Sequence, residues 1–253
     1  PTPQARTVFF RIGSEAVASP GGRAPGDLEI SSSEPELGGT GSRFVLECEA
    51  ERVPVDLPLL GRFNVENALA AAAVARVSGM ELSEIAAGLS RAPQVPGRLE
   101  RLCTEPMAVF IDFAHTPDAL ERVLKTLRPL VTGRLLVLFG AGGDRDAGKR
   151  PLMGRAAASL ADLSFVTSDN PRTEDPEVII DDVVMGMEGA PYRRIADRRE
   201  AIEAALEEAR SEDLLLLAGK GHETYQVVGL DSLPFDEGAV VRECLDLPQE
   251  VRP

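Results

Sequence analysis

Two uninterrupted apolar runs constrain this chain more than any other feature: Leu135-Leu136-Val137-Leu138-Phe139 and Leu214-Leu215-Leu216-Leu217-Ala218. Neither alternates polar with apolar side chains, so each reads as a strand covered on both faces. Around them the chain alternates short apolar runs with amphipathic stretches. Strands are expected at 108–112, 134–139, 163–166, 192–195 and 214–218. Helices are expected at 116–127, 149–161, from about 177, and at 198–210, and a run at 225–228 completes the pattern. Such alternation implies right-handed crossovers and a mainly parallel sheet.

The beginning has a different grammar. β-type runs at 7–12, 27–31, 43–48 and 52–57 are separated by Gly, Pro and Ser clusters, which predicts a small antiparallel sheet. Gly21-Gly22 and Gly38-Gly39-Thr40-Gly41 read as flexible connections. An alanine-rich helix follows through Val77 with Asn64 as its expected N-cap. Ser83 is expected to cap a second helix, whose apolar stripe is Leu82, Ile85 and Leu89. Pro93 and Pro96 mark a break, so two domains are expected, 1–95 and 96–253.

At 253 residues the chain can bury a sizeable core, and with no Trp it must build that core from Leu, Val, Ile and Ala. A net charge of −14 argues against a nucleic-acid or anionic-membrane surface. Cys48, Cys103 and Cys244 have neither disulfide-framework nor zinc-ligand spacing, which fits a reducing cytoplasm and predicts no metal site. The opening Pro1-Thr2-Pro3, without an initiator methionine, reads as the interior of a longer polypeptide.

Ligands of open parallel sheets bind at the carboxyl ends of strands, and four strand ends here are loaded. Ser168-Asp169-Asn170-Pro171-Arg172-Thr173-Glu174-Asp175-Pro176 suits a ligand bearing an ammonium and a carboxylate: acids and an amide oxygen receive the first, and the arginine fork grips the second. Alone it reads more readily as an ordinary polar strand-to-helix loop; the three other loaded strand ends shift the reading to a site. In Asp112-Phe113-Ala114-His115-Thr116-Pro117, Thr116 and Pro117 fit a cap and first helical residue. Asp112 is placed to accept from ribose hydroxyls, and His115 is either a satisfied loop histidine or part of a site. Gly140-Ala141-Gly142-Gly143-Asp144-Arg145, followed by Lys149 and Arg150, offers backbone amides and cations to an anion. In Gly219-Lys220-Gly221-His222-Glu223 the glycines would open space, Lys220 would meet a phosphate, and Glu223 would pair with an amine. Asn67 either faces a ligand or solvates a helix end. No Walker A motif occurs.

Taken together, Gly61–Asn67, Pro96–Glu100, Asp112–Pro117, Gly140–Pro151, Asp169–Pro176 and Gly219–Glu223 resemble the Mur ligases of peptidoglycan synthesis, in the family's order. The match is closest to the branch that adds meso-2,6-diaminopimelate to a UDP-N-acetylmuramoyl dipeptide. The resemblance implies a Rossmann-like C-terminal domain at 96–253 that binds the incoming amino acid, preceded by the end of the family's central ATPase domain at 1–95. It implies ATP and Mg2+ as cofactors and amide formation through an acyl-phosphate. Asn67, Arg98, Asp112 and His115 would serve ATP, and Arg145, Asp169, Asn170, Arg172, Gly219 and Glu223 would hold the amino acid. Arg172 would receive the second carboxylate that lysine lacks. No residue is assigned to bond making.

The family's P-loop, UDP-binding domain, metal ligands and modified lysine would all lie upstream of Pro1, so the chain alone is expected to have no ligase activity. Phe113 stands where the family commonly has tyrosine, and Gly238 where it usually has a charged residue. Two other readings stand beside this one: a non-catalytic amino-acid-binding or regulatory module, and a folylpolyglutamate synthase-like ligase. Asp169–Arg172 fits the latter poorly.

Overall fold

The computed structural model describes residues 8–13 and 28–248, which form two compact units divided between Gln94 and Val95. Thr7, Gly21-Gly22, Asp27 and the opening Pro1-Thr2-Pro3 lie outside the described residues.

The first unit contains strands β1 (Val8–Ile12), β2 (Leu28–Ser32), β3 (Glu36–Gly38), β4 (Gly41–Cys48) and β5 (Glu51–Leu57), then helices α1 (Arg62–Val77) and α2 (Leu82–Leu89). β4 pairs antiparallel with β5 along its length and with β2 and β3 at its two ends. β1, however, pairs parallel with β2, Val8 opposite Leu28, which corrects the all-antiparallel expectation. The connection from Gly13 to Asp27 is longer than a hairpin needs, and composition does not set strand direction. Ile30, Phe44, Leu46 and Val55 form a core with Val65, Leu69 and Ala72 of α1 and Leu82 and Ile85 of α2.

Both predicted caps of this unit are corrected. Gly61, at φ 93°, caps α1, while Asn64 is buried in the first turn with its side chain donating to Leu60 O. Glu81 caps α2 in a reciprocal box with Glu84, and Ser83 already lies inside the helix.

The second unit runs β6 (Glu100–Cys103), β7 (Ala108–Asp112), α3 (Pro117–Leu127), β8 (Leu135–Phe139), α4 (Lys149–Leu160), β9 (Leu163–Val166), α5 (Pro176–Val184), β10 (Tyr192–Arg194), α6 (Arg198–Glu208), β11 (Leu214–Ala218), β12 (Tyr225–Val228), β13 (Asp231–Pro234) and α7 (Glu237–Cys244). Six strands form one sheet in the order β10-β9-β8-β11-β7-β6. All neighbours are parallel except the edge strand β6, which runs antiparallel to β7. Every residue of β8, β9 and β11 is buried, as uninterrupted apolar runs require. Thr116 caps α3, its Oγ1 accepting from Ala119 N with Pro117 as the first helical residue.

The run at 225–228 does not extend the sheet. β12 instead forms a separate hairpin with β13, turning at Gly229-Leu230, and a parallel bridge joins Arg172 to Val228. The hairpin thereby rests against the loop that follows β9.

Candidate functional site

The parallel register sends β7, β8, β9 and β11 to one edge of the sheet, so the loops after them converge. Asp169 and Asn170 follow β9, and Gly219, Lys220 and Glu223 follow β11. At the centre lies the fully buried ammonium of Lys220. It donates to Asn170 Oδ1 at 3.0 Å, with Glu223 Oε2 at 3.4 Å and Asp169 Oδ1 at 3.5 Å. Two carboxylates against one ammonium leave, formally, one negative charge in excess. Asp169 Oδ1 is buried and has no hydrogen-bond partner among the described residues. The cluster thus carries a formal acidic excess that a further cationic donor would balance.

Arg172 stands beside this acidic cluster with its backbone in the left-handed region, φ 51°, a conformation that a bulky residue keeps only when its surroundings enforce it. Those surroundings are explicit. Arg172 N donates to Val227 O at 3.0 Å, Gly229 N donates to Arg172 O at 2.7 Å, and the guanidinium Nη1 donates to Gly143 O at 2.8 Å. Nε and Nη2 are left without a partner among the described residues, two donor nitrogens on one edge of the guanidinium suited to a carboxylate. Arg145 is exposed, donates to Asp144 O at 3.2 Å, and shares with Arg172 the space next to Gly142.

Part of the glycine-rich loop expected to offer its amides to an anion is already committed within the protein. Gly143 N is committed to Asn170 O, Asp144 N to the Glu174 carboxylate and Gly148 N to Asp146 Oδ1. The glycines serve close approach instead, since a Cβ on Gly143 would stand 1.9 Å from Pro171 O and one on Gly140 2.2 Å from Thr167 O. Arg150 is buried against Glu174 at 2.8 Å and Asp182 at 2.9 Å, so it braces the loops and is no ligand contact. Thr173 donates to the Asp144 carboxylate through its amide and its hydroxyl, which holds that carboxyl below the usual carboxylate range.

Three further readings are revised. Lys220 faces Asn170, Asp169 and Glu223 from within the protein and does not reach out to a phosphate. Gly221 opens no space, because its Cβ position is filled by Phe113 at 2.7 Å, while Gly219 is required by its φ of 116°. The Asn170 amide oxygen accepts from Lys220 and from Val227 N, so it is not offered to a ligand ammonium.

A second cluster gathers after β7. The guanidinium of Arg98 lies 5.1 Å from the Phe113 ring centroid, and the rings of His115 and His222 lie 4.5 Å and 5.3 Å from it. His115 Nδ1 is 2.8 Å from Phe113 O. Asp112 is buried and accepts from Leu99 N at 2.7 Å; burial pushes its carboxyl up, against the backbone amides of Leu99 and Ala114. Lys149 donates to His115 O, and burial lowers its pKa. An aromatic face edged by a guanidinium and two imidazoles fits a nucleobase in character. No group of three His, Cys, Asp or Glu placed to hold a metal ion occurs among the described residues. In the first unit, Asn67 is exposed in the second turn of α1, not the first, and donates to Asn64 Oδ1 at 3.4 Å.

Sequence reasoning missed the hairpin's contribution. Gln226 Nε2 donates to Asp169 O at 2.8 Å, Tyr225 OH lies 3.5 Å from Glu223 Oε1, and Val227 N fixes Asn170. The isolated glycine Gly229 inside a β-type stretch was the available signal for a turn there.

Residues 97–221 match the family model described as Mur ligase, glutamate ligase domain. A protein of Gloeobacter violaceus named UDP-N-acetylmuramoyl-L-alanyl-D-glutamate--2,6-diaminopimelate ligase is 49% identical over 208 residues, 81% of this chain and 42% of that protein. One of the same name from Synechocystis sp. is 50% identical over 195 residues, 75% of this chain and 38% of that protein. A solved structure of an enzyme of that name superposes with a TM-score of 0.64 at 41% identity, covering 86% of this chain and 45% of the other. The chain thus spans about two-fifths of the length of the curated relatives it matches. With the order of motifs, the parallel sheet and these matches in agreement, the chain belongs to the Mur ligase family.

Proposed function

We propose that residues 95–253 bind and present the incoming amino acid of an ATP-dependent amide ligase, that this amino acid is meso-2,6-diaminopimelate, and that the acceptor is UDP-N-acetylmuramoyl-L-alanyl-D-glutamate. One observation carries the reading: an acidic cluster with one charge in excess, Asp169, Glu223 and Lys220, stands beside an arginine with two uncommitted donor nitrogens. A zwitterion with a further carboxylate matches that pairing. The names of the 49% and 50% identical relatives support the same substrate.

In this reading Asp169 and Glu223 receive an ammonium of the ligand and Arg172, flanked by Arg145, grips a carboxylate. Gly219 keeps the turn beside Asp169 tight. Holding the amine in one orientation converts its attack on an activated carboxyl into a near-unimolecular event. ATP, when bound, supplies the phosphoryl group that activates that carboxyl. The Phe113 face with Arg98 and His115 would carry the nucleotide in the second unit, with Asp112 fixing the turn through Leu99 N. Residues 1–94 are read as the end of the family's central domain, with Asn67 directed to the nucleotide. The cytoplasm is the compartment that fits this chemistry, and no helix among the described residues is long and apolar enough to cross a membrane.

The test is calorimetric titration of the chain with meso-2,6-diaminopimelate and with L-lysine, repeated on Arg172→Ala. Preference for the first ligand by at least ~10-fold, abolished in the variant, is expected from one lost charge-assisted pair. Equal affinity for the two ligands in the unsubstituted chain would refute the specificity.

A further inference from the structure

The amide of Asn170 has a determinate sense. Two atoms reach its Oδ1: Lys220 Nζ at 3.0 Å and Val227 N at 2.9 Å. Both are donors only, so the oxygen must lie there, and Nδ2 is thereby directed to Glu223 Oε2 at 3.1 Å. Lys220 itself is fully buried, 5.9 Å from the Tyr225 ring centroid on one side and against Asp169 and Glu223 on the other, and has no surface to offer a ligand. A buried ammonium this costly is retained where it organises its neighbours.

We propose that Lys220 is the positioning residue of the amino-acid pocket: its ammonium locks the sense of the Asn170 amide, whose Nδ2 in turn holds the Glu223 carboxylate in place. The pocket then has two poles. Asp169 and Glu223 form an ammonium-reading pole, and Arg172 forms a carboxylate-reading pole. The ligand class is therefore an amino acid that presents both groups. A diamine would meet the Arg172 guanidinium at the second pole. The proposal rests on reading this pocket as an amino-acid site.

The chain is compared with Lys220→Met, which removes the donor and the charge, Lys220→Gln, which keeps a donor without the charge, Asn170→Ala, and the double variant Lys220→Met/Asn170→Ala. The ligand-free readout is hydrogen exchange at the Asn170 side-chain amide, followed by 15N NMR. A locked amide exchanges slowly in the unsubstituted chain, and exchange rises at least ~10-fold in Lys220→Met and less in Lys220→Gln. The second readout is the affinity for meso-2,6-diaminopimelate. Lys220→Met weakens it by ~10–100-fold in the native background but by less than ~3-fold in the Asn170→Ala background, because the lysine acts through the asparagine.

Equal losses in both backgrounds would show a merely structural lysine and overturn the proposal. So would an Asn170 amide that exchanges like an exposed side chain in the unsubstituted chain, a result that needs no variant to fold. Failure of the unsubstituted chain to bind the amino acid would refute the proposed function instead, and the exchange measurement alone then decides the role of Lys220.

Discussion

Replacing Arg198 with Met should unfold the second unit more readily than any other single substitution near the strand ends. Arg198 is fully buried, and its guanidinium donates to Glu237 Oε1 at 2.8 Å, to Ser168 O at 3.0 Å and to Ala218 O at 2.9 Å. One side chain thus ties the ends of β9 and β11 to the start of α7. Glu237 is equally buried, and its Oε2 has no hydrogen-bond partner among the described residues; burial pushes its carboxyl up while Arg198 opposes that. Breaking such a pair costs about 3–5 kcal/mol, and each abandoned carbonyl adds about 1 kcal/mol. Protonation of the stranded Glu237 limits the total to about 4 kcal/mol. At a urea dependence of about 2 kcal/mol per M, the midpoint falls by about 2 M. The only two tyrosines, Tyr192 and Tyr225, both belong to this unit and the chain has no Trp, so tyrosine fluorescence reports its unfolding alone. In Arg198→Met/Glu237→Leu the stranded charge is gone, and about 2 kcal/mol should return. A loss under about 1 kcal/mol for the single variant, or a double variant no more stable than the single, would refute the reasoning.

Asp213 gives a pH signature. Burial alone would raise its carboxyl, but the Arg134 guanidinium and the backbone amides of Arg134 and Arg210 outweigh that and hold it below its ordinary 3.8. A lowered folded value means stability that is complete above pH 3.8 and lost as pH falls through the folded value. Asp213→Asn should therefore cost about 2 kcal/mol at pH 7, and the gap to the native chain should narrow in acid melts below pH 3.8; a gap independent of pH would contradict this. Gly143→Ala drives a methyl toward Pro171 O and should destabilise by about 1–3 kcal/mol. It should also lower amino-acid affinity, since Pro171 precedes Arg172, and unchanged affinity would show that the loop has slack there.

Leucine runs announced β8 and β11 because strands buried on both faces have no polar position to hide. The direction of β1 was not legible, since pairing sense depends on where a connection goes and not on the residues paired. The caps failed for a related reason: Asn64 has the right side chain for a cap, but the helix begins two residues earlier and the Asn64 side-chain amide donates back to Leu60 O. At the site, Asp169 and Arg172 were readable because charged residues crowded at a strand end are unusual. The sense of the Asn170 amide was not, because it is decided by Lys220 and Val227, far along the chain.

The position of β11 has a consequence for how the protein is made. β7 and β8 do not pair with each other; each meets the other only through β11, which is the last strand of the sheet to leave the ribosome. Until Leu214–Ala218 emerges, the nascent chain carries two half-sheets, each with an unpaired, largely apolar edge where β11 will insert. Such edges invite pairing with other chains, and long-range insertion is slow. Products truncated before residue 214 should therefore aggregate while the full chain stays dispersed, a difference that pelleting of in vitro translation products would reveal. Late completion of the sheet also means that the proposed amino-acid pocket, whose Lys220 follows β11 directly, is assembled only as synthesis nears its end.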